Sequence, residues 1–100
     1  VPFPMELMSV RESHTTAGSD AGAVTVTVEK LTGTTAPGAG TVMLASAINL
    51  KATANTVQTG ALTATRPDRQ LLAGHRIAAK LTGTPTAVAN MVLTIELQEL

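Results

Sequence analysis

One hundred residues make one domain, spanning 1–100. Seven Lys and Arg balance seven Asp and Glu, so the basic excess of proteins that bind phosphate backbones is missing. Without Cys there is no disulfide, thiol nucleophile or Cys-ligated zinc, and no apolar run approaches the ~18 residues of a membrane span. The start, Val1-Pro2-Phe3-Pro4, lacks a basic segment leading into an apolar stretch and does not read as a signal peptide. A first residue Val reflects either removal of an initiator Met or a fragment. These features describe a small, neutral, soluble β domain and by themselves name no function.

Ala (16) and Thr (17) make up a third of the chain, and Phe3 is the only aromatic residue. Aromatic rings ordinarily bury the most area per residue. The core must therefore come from 27 Leu, Val, Ile and Met residues. A core this lean favours burying further surface against partners.

Gly and Pro cluster at 2–4, 18–22, 33–40, 67–74 and 83–85, with segments of strand length between them. That spacing predicts an all-β domain rather than helices in βαβ crossovers. In chain order, the first strand is expected over 5–12. Phe3, Met5 and Leu7 are in phase, then the phase slips to Met8 and Val10, which one extra residue near Leu7–Met8 explains as a bulge; a short helix is the competing reading. Over 23–31, Val24, Val26 and Val28 oppose Thr25, Thr27 and Glu29, the period of a half-buried strand. Over 42–50, Val42, Leu44, Ile48 and Leu50 alternate, although the Ala content also suits a helical turn. The segment 56–65 is Thr-rich, and Gly60 inside it points to a bulge or a close backbone contact. Over 75–81, Ile77, Ala79 and Leu81 oppose Arg76, Ala78 and Lys80. Over 91–98, Met91, Leu93, Ile95 and Leu97 share a face. The expected fold is an antiparallel, jelly-roll-like β-sandwich of about six to eight strands. Lys30-Leu31-Thr32-Gly33-Thr34 recurs as Lys80-Leu81-Thr82-Gly83-Thr84. This is either chance in a Thr/Gly-rich chain or two equivalent strand exits at one end of a sandwich. Neither copy continues as a phosphate loop.

Little in the chain is chemically pointed. Ser13, His14 and Asp20 bring three catalytic residue types together, but 13–22 reads as a polar surface loop, and nearness in sequence does not orient a triad. His14 and His75, the only histidines, have no acidic pair beside them and make a poor metal site. Arg66, Arg69 and Arg76, with Asp68 among them, form a basic cluster able to meet a carboxylate or phosphate of a partner. The plainer reading is a solvated loop with an internal Arg–Asp pair. No aromatic lies near these arginines to stack bases. The expectation is a protein with no catalytic, cofactor-binding or metal-binding residues: not an enzyme, and a binder of neither nucleic acid nor membrane.

Three segments carry a resemblance. The first runs from Asp20 to Thr41 (DAGAVTVTVEKLTGTTAPGAGT). The second is Leu50-Lys51-Ala52-Thr53-Ala54-Asn55-Thr56-Val57. The third is Leu71-Leu72-Ala73-Gly74-His75-Arg76-Ile77, followed by Leu81-Thr82-Gly83-Thr84. In order and spacing they resemble a group of small β proteins encoded among the virion-structure genes of tailed bacteriophages. In that group the third segment usually reads as leucines followed by Gly-Asp-Arg-Leu; here His75 stands in the Asp position. The resemblance covers roughly residues 10–100. It implies a β-sandwich virion protein that decorates or cements the outside of a capsid, or forms part of a head fibre. The partner is then the major capsid protein, and the assembly is commonly a homotrimer. The alternative is a tail- or fibre-associated module that recognises a host-surface glycan or protein. The candidate interface comprises the apolar segment Pro2, Phe3, Pro4 and Met5, within an N-terminal contact arm over 1–5, and the cations Arg66, Arg69 and Arg76. Prolines keep such an arm extended and lower the entropy lost on docking. Phe3 is either its anchor or a cap on the domain's own core.

Overall fold

The computed structural model describes residues 1–19 and 21–100. Among them, eight strands and one helical turn follow in the order β1 (Met5–Ser13), β2 (Thr25–Leu31), β3 (Thr41–Val42), β4 (Ile48–Asn49), β5 (Gln58–Thr59), α1 (Arg66–Arg69), β6 (Gln70–Leu71), β7 (Arg76–Thr82) and β8 (Val92–Glu99). They form two antiparallel four-stranded sheets, so the chain is an all-β sandwich. Each sheet is built on one long strand. β1 carries β8 along one edge and the short strands β5 and β6 along the other. β2 carries β7 on one edge and β3 and β4 on the other.

The core lies between β1 and β2. Leu7 and Val10 of β1 meet Val26 and Val28 of β2, with Val24, Met43, Leu50 and Leu71 closing around them, all essentially without solvent contact. The slip in β1 is a register shift: Leu7 pairs with Leu97 and Ser9 with Glu96, leaving Met8 as the extra residue. β2 is buried on both faces, not one. Thr27, Glu29 and Leu31, on the face turned away from the core, are buried too. The reason is the segment 32–40, which folds back over them. The Gly38 N–H donates to Glu29 Oε1, and a Cβ on Gly40 would come within 2.6 Å of Leu31 Cδ2.

Two expected strands are largely absent. The segment 42–50 is two short strands separated by 43–47, and 56–65 keeps only β5 as a strand. Their middle residues pair with each other instead. Ala45 N–H donates to Ala61 O at 2.7 Å, Thr63 N–H donates to Met43 O at 3.0 Å, and Leu44 bridges Leu62. These bonds seal one side of the sandwich, and Gly60 packs where a Cβ would press on Leu44 and Ile48. Among the described residues, no backbone pairing joins β7 to β8 on the opposite side.

Strand directions follow from the ladders. The Val1 amino group donates to His75 O and Gly74 N–H donates to Val1 O at 2.8 Å, so β1 and β7 start at the same end. β8 runs against β1, and therefore against β7. β2 runs against β7, with Leu31 opposite Arg76 and Thr25 opposite Thr82. The two Lys-Leu-Thr-Gly-Thr exits thus lie at opposite ends of the sandwich, which corrects the expectation of a shared end. Segment 32–40 starts beside the N-terminus; 83–91 lies at the far end, where Ala89 bridges Thr16.

Candidate functional site

The N-terminal segment is anchored at both ends. Val1 packs against the core cluster and bonds the 74–75 turn, and Pro4 O accepts from Leu100 N–H at 3.1 Å. Between these ties Pro2, Phe3 and Pro4 are exposed, while Met5 enters β1 half-buried opposite Leu71 and Glu99. Phe3 is 40% exposed and is not among the residues packed on the core. Leu72 and Leu100, 59% and 56% exposed, gather at the same end. The β1 ladders bring both leucines to the end that carries Phe3, a placement that sequence spacing does not show.

The three arginines do not form one cluster. Arg66 Nε donates to Glu6 Oε1 at 2.7 Å, an exposed pair that lowers the Glu6 carboxyl below its ordinary range, chiefly through that hydrogen bond. Arg69 Nη1 donates to Thr63 O at 3.0 Å. Arg76 lies apart, at the head of β7, where its Nη2 donates to Gly33 O and Thr35 O and pins the start of the folded-back segment. The expected Arg–Asp68 pair is not formed: the ion pairs among the described residues are Arg66–Glu6 and His14–Glu12. α1 is a single turn with Pro67 near its start. Lys30 Nζ reaches across from β2 to accepting carbonyls of Pro67 and Gln70, at 3.0 Å each.

His14 is not a surface-loop residue. β1 runs on through Ser13, and its core-facing side ends in Glu12 and His14, both 1% exposed. His14 Nδ1 donates to Glu12 Oε2 at 2.8 Å and Nε2 donates to Ala52 O at 2.9 Å. Gln58 Nε2 supplies Glu12 Oε1 at 2.8 Å. Both imidazole nitrogens face acceptors, so the ring is held as imidazolium. Its pKa is raised, first by the Ala52 carbonyl, then by Glu12, against the opposing effect of burial. A ring with both nitrogens engaged inside the fold has no lone pair for a substrate. The group works as an ionic plug at one end of the core, much as Lys30 closes the other. Asp20, the third residue of the Ser13–His14 grouping, lies outside the described residues. His75 Nδ1 accepts from Leu72 N–H at 3.0 Å and holds the 72–75 turn.

Two shallow recesses mark the surface. One of about 160 Å³ is bounded by Arg11, Val57 and Val92; another of about 240 Å³ lies between residues 46–49 and 58–61. Among the described residues no three His, Cys, Asp or Glu side chains gather as a metal site, and no helix is long and apolar enough to cross a membrane. No protein-family model, curated protein or solved structure matches this chain.

Proposed function

We propose that this chain is a structural virion protein, a decoration, cement or head-fibre component that binds the major capsid protein on the outside of a phage capsid, and does so as a homo-oligomer, a trimer by analogy with the group it resembles. The observation that carries the reading is the exposure of three large apolar side chains, Phe3, Leu72 and Leu100, at one end of the sandwich, with Pro2 and Pro4 stiffening the backbone between two anchored points. Such a surface docks with little loss of chain entropy, and Phe3 supplies an aromatic anchor of the kind that dominates contact energies. The resemblance of three segments to small phage virion proteins suggests the partner. The polar chemistry fits the reading, because the buried ionic groups are spent inside the fold.

The test is occupancy on particles. Mass spectrometry of purified virions from a phage encoding this chain should find it at structural copy number, and cryo-EM should place it on the capsid exterior. Purified protein added to particles stripped of it should rebind. Phe3→Asp with Leu72→Asp should abolish rebinding while leaving the melting temperature nearly unchanged. Absence from virions, or full rebinding by that double variant, would refute the assignment.

A further inference from the structure

The sandwich is open along β7 and β8, and the residues there are placed as core residues without being covered as such. Leu81 pairs with Val26 and Ala79 with Val28, so both lie on the core face of their sheet; yet Leu81 is 49% exposed and Ala79 is exposed as well. On β8, Leu97 and Ile95 pair with the buried Leu7 and Val10, and with Leu93 they are only half-covered. Both strands are sheet edges, seven and eight residues long, with no proline. Uncapped edges of this length invite another strand.

The two edges carry opposite charge. β7 holds Arg76 and Lys80 and no acid; β8 holds Glu96 and Glu99 and no base. We propose that a second copy of this chain covers the open side, with β7 of one copy adding antiparallel to β8 of the next. With Ala79 placed opposite Ile95, Ile77 meets Leu97 and Leu81 meets Leu93 on the core side. In that one register Glu96 comes opposite the small Ala78, diagonal to both Arg76 and Lys80 on the outer side, within reach of long side chains. All seven residues of β7 are then matched. Pairing like with like sets Arg76 and Lys80 against themselves and Glu96 against itself, which disfavours it. Because β7 and β8 run antiparallel on the same side of the molecule, the contact repeats about an axis parallel to the strands and closes into a ring of few copies, not a filament. The inference rests on the homo-oligomer in the proposed function and is independent of the capsid.

Light scattering and native mass spectrometry on the purified full chain test it. At about 100 μM, well above the micromolar limit of ordinary interfaces, a closed oligomer is expected. Glu96→Lys should weaken assembly about tenfold, and adding Lys80→Glu to it should recover part of the loss. Leu81→Gln should also give monomer, with circular dichroism still of folded β type. In the oligomer, hydrogen exchange should slow at amides of β7 and β8. A monomer at that concentration, or an assembly indifferent to Glu96→Lys and Leu81→Gln, overturns the inference. A monomer that still decorates particles sinks the seam alone, and an oligomer missing from virions sinks the capsid reading alone.

Discussion

The imidazole of His14 and the carboxylate of Glu12 meet at 2.8 Å with both side chains shut off from solvent. Burial beside two acceptors makes the charge on His14 a contributor to stability, since its pKa is raised in the fold. A histidine whose folded pKa is raised contributes stability that is fully present below its unfolded value and is lost as pH rises through the folded one. The urea midpoint should accordingly fall from about pH 6.5 upward, while a His14→Gln variant should show a flatter alkaline limb. An unchanged midpoint across that window would show that His14 does not titrate with folding.

The same pair makes two substitutions behave differently. His14→Ala leaves Glu12 buried and uncompensated, at a cost of about 3–5 kcal/mol. Glu12→Gln keeps an acceptor for Gln58 and turns an amide donor toward Nδ1, so neutral His14 satisfies the network. This variant should be milder than His14→Ala at alkaline pH, and its stability should rise with pH up to about 6.5 and then level off, whereas that of the parent falls above that value. Chemical denaturation of the three proteins across pH reads both effects.

Leu71 and Leu72 are neighbours with opposite fates: Leu71 is wholly buried and Leu72 is 59% exposed. Leu71→Ala should cost about 2–5 kcal/mol, and Leu72→Ala should stay within about 0.5 kcal/mol of the parent. Thermal melts of the two variants give the comparison directly. Equal losses would mean that β6 is displaced from its place against β1.

Gly33 and Gly83 occupy the same position in the repeated pentamer, and both have positive φ, 55° and 88°. A Cβ at Gly33 meets open space, whereas one at Gly83 strikes the carbonyl of Ala23. Gly33→Ala should cost about 1–2 kcal/mol, for the left-handed backbone alone. Gly83→Ala should cost clearly more. The difference in urea midpoint between the two variants measures the collision itself.

The long strands were legible because their periodicity is local. Val24, Val26 and Val28, and Leu93, Ile95 and Leu97, alternate in the sequence and face inward in the fold. The phase slip at Met8 marked its bulge for the same reason. The middle of 42–50 and most of 56–65 misled because Ala and Thr suit a strand and a bridging turn alike. Their pairing, Met43 with Thr63 and Ala45 with Ala61, is a matter of tertiary placement. Burial of Glu29 and Leu31 was hidden likewise, since only the fold-back of 32–40 covers them. At the candidate contact site, composition singled out Phe3, but nothing in spacing announces that Leu72 and Leu100 join it. His14 read as a loop residue because Ser13 and Thr15 flank it with polar side chains.

The bonds of Ala45 to Ala61 and Thr63 to Met43 stitch the two sheets together along one margin, like the spine of a book. Separating the sheets there breaks hydrogen bonds, while along the β7–β8 fore-edge, beyond the tie of Val1 to Gly74 and His75 at one end, apolar side chains meet across the gap. That asymmetry predicts lopsided thermal breathing, with the molecule opening toward Ile95 and Leu81 before the spine parts. A solvatochromic dye offered to the isolated chain would enter from that margin, and any body that occupies the fore-edge damps the breathing of the whole domain.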